Sequence, residues 1–117
     1  MSGAVSHRAG MAAETAVAAV YARSGLDLVA SRWRGTGGEI DLILRDGAVM
    51  VFVEVKKSRD FARALMRVTP AKVARIFAAA GEFLANEPMG LNTETRFDVA
   101  LVEASGRVQV IENALGP

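Results

Sequence analysis

Cysteine is absent from this chain of 117 residues, and histidine, tryptophan and tyrosine occur once each. Without cysteine there is no disulfide scaffold, no thiolate zinc site and no cysteine nucleophile, and nothing calls for an oxidising compartment. The lone histidine, His7, rules out a multi-histidine metal centre. Long apolar runs are missing too: the alanine-rich stretch from Met11 to Ala22 is interrupted by Glu14 and is too short to span a bilayer. No membrane partner is expected, and a cytoplasmic location follows. Net charge is nearly absent at +1.

The basic charge that is present is unevenly placed. Lys56, Lys57, Arg59, Arg63, Arg67, Lys72 and Arg75 are half of the 14 basic residues, and Asp60 is the only acid among them. Such a cluster suits a polyanion, and it equally suits a solvated loop and helix face.

The length fits one domain with its own core, expected over residues 9–117 behind a flexible N-terminus at 1–8. From Ala9 to about Ser24 alanine dominates, with Val17, Val20 and Tyr21 at helical spacing and Gly25 as a stop. Residues 26–34 read as a strand and Gly35 to Gly38 as a turn. Residues 39–45 and the valine-rich 48–55 read as two further strands joined at Asp46-Gly47, a strong hairpin signal. Thr69-Pro70 opens a second helix running to about Asn86, after which residues 95–103 and 107–112 read as two more strands. The order α-β-β-β-α-β-β predicts an α/β fold with a mixed five-stranded sheet flanked by two main helices.

Taking Asp46-Gly47 as the two-residue loop sets Arg45 against Ala48, Asp41 against Phe52 and Glu39 against Glu54. Glu39, Asp41, Glu54 and Lys56 then share one face, with Asp41 and Glu54 diagonal to each other. Three acids and a lysine at the end of a buried strand are costly unless something binds them, since like charges repel at close range and a desolvated carboxylate needs a partner. A divalent cation with oxygen preference resolves the conflict, with Asp41 and Glu54 as ligands and Lys56 beside them to activate water. The competing interpretation is a surface ion pair between Glu54 and Lys56, which contributes little.

The segment from Gly37 to Lys57 resembles the GEIDLI…FVEVK signature of the YraN-like family of bacterial proteins. The resemblance extends to Glu14, Trp33-Arg34, Val68-Thr69, Lys72 and Arg96-Phe97-Asp98-Val99, and so covers nearly the whole chain. That family is similar in pattern to the PD-(D/E)xK nucleases, a superfamily that includes restriction enzymes and archaeal Holliday-junction resolvases. The resemblance implies a restriction-endonuclease-like core in which Asp41 is the motif aspartate, Glu54-Val55-Lys56 the (D/E)xK element and Glu14 a third metal ligand. Ile40 replaces the usual proline, and Lys57, Ser58 and Arg59 stand where the family commonly has threonine and arginine.

The expectation is a Mg2+- or Mn2+-dependent phosphodiesterase acting on DNA, branched or processed DNA included. In it Asp41, Glu54 and Lys56 are catalytic, Glu39 is supporting, and Lys57, Arg59, Arg63, Arg67, Lys72 and Arg75 hold phosphates. The alternative is a catalytically silent nucleic-acid or protein binding module on the same fold. A second copy of the chain is a candidate cover for the apolar surface of a sequence that is 51% hydrophobic. Arg96 and Asp98 are read as a same-face pair with no catalytic role. The glycine turn at 35–38 leads into a strand rather than a helix, so it lacks the dipole of a phosphate loop.

Overall fold

Alanine-rich sequence punctuated by Val17 and Tyr21 gives the first helix, α1 (Ser2–Arg23), which starts ahead of the Ala9 boundary expected. The structure, a computed structural model, describes residues 2–115. Met1, Gly116, Pro117 and the side chains of residues 2–10, His7 among them, lie outside that description. Among the described residues no helix is long and apolar enough to cross a membrane.

Five strands follow in the expected order: β1 (Asp27–Arg34), β2 (Glu39–Asp46), β3 (Val49–Lys57), β4 (Thr95–Val102) and β5 (Val108–Ile111). They form one sheet in the order β1-β2-β3-β4-β5. Only β3 and β4 run parallel; the other three pairings are antiparallel. A parallel neighbour needs a crossover, and here it contains α2 (Phe61–Met66) and α3 (Pro70–Leu84).

Helix α3 is the second helix foreseen, capped by Thr69 with Pro70 at its start. The six-residue α2 was not foreseen. Asp60 caps it, its carboxylate accepting the backbone N–H of Ala62 and Arg63.

Alternation along β3 sorts the core into layers. Val51 and Val53 pack with Leu42, Leu44, Ala100 and Val102 against Ala13, Val17 and Tyr21 of α1. Met50 and Phe52 pack with Ile40 and Ile43 against Ala79, Ala80 and Leu84 of α3. Ala64 of α2 covers Val99 and Leu101. The result is an α/β domain of three layers, helix on either face of a mixed sheet.

The β2–β3 hairpin corrects one expectation. Asp46 pairs with Val49 and Ile43 with Phe52, so the loop is Gly47-Ala48 rather than Asp46-Gly47. Of the two loop residues only Gly47 has positive φ, +59°, the pattern of a type II′ turn, which needs glycine first and accepts alanine second. Partners shift by two residues. An even shift leaves the paired residues between Leu42 and Val53 on their foreseen faces and brings Asp41 from the diagonal of Glu54 to the step directly opposite it, one beyond Leu42↔Val53.

Candidate functional site

The β2–β3 ladder closes at Leu42↔Val53 and the strands then part. In the gap the Oδ2 of Asp41 accepts the backbone N–H of Val55 at 2.8 Å, a side chain taking the place of a ladder carbonyl. Alternation breaks at the same point. Leu42 and Leu44 belong to the α1 side, yet both Ile43 and Ile40 belong to the α3 side. On β1 the matching step, between Ser31↔Leu42 and Trp33↔Ile40, is Arg32, whose φ of +51° is unusual for a residue with a side chain. The local kink directs the Asp41 carboxylate between the strands.

Glu54, on β3, has a side chain only 3% exposed. It lies directly across from Asp41 on the neighbouring strand, and burial followed by the charge of Glu54 pushes Asp41 up to about 7. The Val55 N–H bond partly opposes this, and the negative charge of Glu14 adds a smaller upward push. Two carboxyl groups that cannot both ionise comfortably are a recurring mark of functional sites.

Lys56 brings its Nζ to 3.3 Å from Glu54 Oε2. Lys72, from the first turn of α3, brings a second ammonium to 3.5 Å from the same oxygen. Asp41, Glu54 and Lys56 are thus together, as the sequence suggested. Lys72, foreseen as a phosphate contact, joins them.

The remaining candidates are distributed more widely. Glu14 is held by Arg32, whose Nε donates to Oε1 at 2.9 Å. Glu39 is tied across the β1–β2 pair to Arg34, at 2.7 Å in an exposed ion pair, rather than to Asp41. Among the described residues no group of three or more His, Asp or Glu side chains is gathered to hold an ion, so the oxygen donors at hand are the Asp41–Glu54 pair.

The expected phosphate contacts divide in the same way. Lys57, Arg59, Arg63 and Arg67 line a cleft of about 890 Å3 floored by Ala12, Ala13 and Ala16 of α1, with Asp60 and Glu103 also present. Arg75 is exposed on α3 and its backbone carbonyl underlies Gly38.

Sequence reasoning missed Arg32, the role of Lys72 and the partner of the glycine turn. Lys72 carried a faint signal, since a lysine in a first helical turn opposes the helix dipole and calls for an anion nearby. The turn partner is Glu82. Its carboxylate accepts the N–H of Thr36 (2.8 Å) and Gly37 (2.7 Å) and the hydroxyl of Thr36 (2.8 Å). These bonds hold Glu82 below the usual carboxylate range. The turn binds an anion, but one supplied by α3.

Away from the site, Arg96 and Asp98 form the foreseen pair. Both Asp98 oxygens accept from the guanidinium at 2.9 Å, and Asp98 also accepts Tyr21 Oη at 2.7 Å and the Asn113 N–H at 2.8 Å.

A family model described as Uncharacterised protein family UPF0102 matches residues 13–102. A UPF0102 protein of Cereibacter sphaeroides is 57% identical over 114 residues, covering 97% of each chain. One from Ruegeria pomeroyi is 55% identical over 97% of this chain and 93% of its own. One from Roseobacter denitrificans is 53% identical over 97% and 88% respectively.

Proposed function

The chain belongs to the UPF0102 family, and from the arrangement of Asp41, Glu54 and Lys56 we propose that it is a divalent-metal-dependent phosphodiesterase of the PD-(D/E)xK type acting on DNA. The observation that carries this reading is the placement of a half-buried carboxyl, Asp41, directly opposite a buried one, Glu54, with Asp41 pushed up to about 7. Their conflict is relieved by a divalent cation as well as by a proton, and an all-oxygen donor pair matches what Mg2+ or Mn2+ prefers.

Asp41 and Glu54 would hold the ion. When bound it supplies Lewis-acid charge to the phosphate and makes water more acidic. The chain's own groups do the rest. The Val55 N–H fixes one Asp41 oxygen, leaving the other for the ion. Lys56, held by Glu54, orients water for attack in line with the leaving oxygen and holds or releases a proton at Nζ. The cleft of Lys57, Arg59, Arg63 and Arg67 grips backbone phosphates without reading bases.

The test is cleavage of duplex, flap, single-stranded and four-way DNA in Mg2+ or Mn2+. Wild type cleaves at least one of them and Glu54→Gln and Lys56→Met do not; cleavage that survives both substitutions defeats the assignment. A second reading, a silent nucleic-acid binding module, is favoured by one observation: Glu54 is already met by two lysines and Glu14 by an arginine. A binder of that kind shifts DNA in gels with a steep salt dependence, needs no metal and leaves every substrate intact.

A further inference from the structure

Two ammonium groups converge on one oxygen. Glu54 Oε2 lies 3.3 Å from Lys56 Nζ and 3.5 Å from Lys72 Nζ. Lys56 arrives from two positions along the same strand, but Lys72 is delivered by another element, from a first helical turn that contains no acid. The Glu54 side chain is 3% exposed, whereas that of Lys72 is 35% exposed. The acid is fixed, and the lysine, on a flexible four-carbon stem, can swing outward.

We infer that Lys72 is an exchangeable counter-ion: it neutralises Glu54 in the metal-free protein, gives up that oxygen when a divalent cation binds, and then takes a phosphate oxygen of the polyanion. The inference rests on the phosphodiesterase reading and specifies how its site is regulated. A cation and the Lys72 ammonium compete for the same face of one buried carboxylate, so the cation alone binds weakly. DNA offers the displaced ammonium a new partner, so cation and DNA strengthen each other's binding by the same factor.

Calorimetry of Mn2+ binding to the metal-free protein reads the competition directly. Lys72→Gln should bind Mn2+ about 5- to 10-fold more tightly than wild type, the size expected when one like charge at ~5 Å is removed in partly screened surroundings. Lys72→Arg, which keeps the charge, should stay within about twofold of wild type, and Glu54→Gln should abolish binding. The exchange is read by gel shift of a short DNA duplex. In EDTA Lys72→Gln should match wild type, because Lys72 is committed to Glu54; in Ca2+ it should bind about fivefold more weakly, having lost one phosphate contact.

Melting curves confirm that each variant is folded, and this partly exposed position tolerates both substitutions. If Lys72→Gln binds Mn2+ as wild type does while Glu54→Gln abolishes binding, the inference is overturned and the phosphodiesterase reading stands. Wild-type protein that does not bind Mn2+, or binds it regardless of Glu54→Gln, overturns both.

Discussion

Asp41 accepts the backbone N–H of Val55 at the point where β2 and β3 part, so one carboxylate both completes the sheet and faces the acid of the neighbouring strand. Binding a main-chain donor fixes the orientation of that side chain. The charge consequences of that position are measurable.

Stability of the metal-free protein should fall as pH rises from about 4 to 7. In the folded protein Asp41 keeps its proton up to about 7, whereas an ordinary aspartate loses it at about 4, so within that window the native state binds more protons than the unfolded one. The loss is at most about 1.4 kcal/mol per pH unit and about 4 kcal/mol in all. Asp41→Asn retains an acceptor for Val55 and removes the charge. Denaturant titrations at pH 5, 6, 7 and 8 should show the variant nearly flat and more stable than wild type by roughly 2 kcal/mol at pH 8.

Tyr21 gives a second, independent titration. Burial, then its hydrogen bond to Asp98, pushes the phenol above the range in which tyrosine ordinarily ionises. Because it is the only tyrosine, ultraviolet absorbance reports it alone. Phenolate should appear only as the protein unfolds in alkali, because a raised folded-state value removes stability as pH climbs past 10. Tyr21→Phe deprives Asp98, which is 0% exposed, of one donor and should cost about 1.5–3 kcal/mol.

Two glycine substitutions should act in opposite directions. A Cβ at Gly38 would stand 2.8 Å from the Arg75 carbonyl oxygen, where only backbone can yield, so Gly38→Ala should lose about 1–3 kcal/mol. It should also loosen the turn that delivers β2 to the site. Gly81 lies within α3 with nothing within 4 Å of its missing Cβ, and Gly81→Ala should gain about 0.5–1 kcal/mol. Thermal melts of the two variants read both signs.

Local patterns made most of this architecture legible. Valine-rich β3, the Thr69-Pro70 start of α3 and the hairpin near Gly47 are short-range signals, and an even error in the hairpin loop left Asp41, Glu54 and Lys56 associated. What was hidden depends on distant contacts. The kink opposite Asp41 arises from Arg32 at φ +51°, and its ion pair with Glu14 joins residues 18 apart. Helix α2 is too brief to show periodicity, and the lysine in the first turn of α3 calls for an anion without indicating that β3 supplies it.

Glu14 should matter less to the metal than Glu54 does. Arg32 holds it, and its charge moves Asp41 less than burial and the charge of Glu54 do. Glu14→Gln should weaken Mn2+ binding by about threefold or less, as expected for a screened charge, while Glu54→Gln abolishes it. Calorimetry on the two variants ranks the acids.

Diffraction from a crystal soaked in Mn2+ tests the central claim most directly, since the ion's anomalous signal marks its position. The account predicts one peak lying about 2.1–2.3 Å from a carboxylate oxygen of Asp41 and from one of Glu54, within the range of oxygen-ligated divalent ions. A soaked crystal with Mn2+ bound elsewhere, or with no peak between these two side chains, would contradict it.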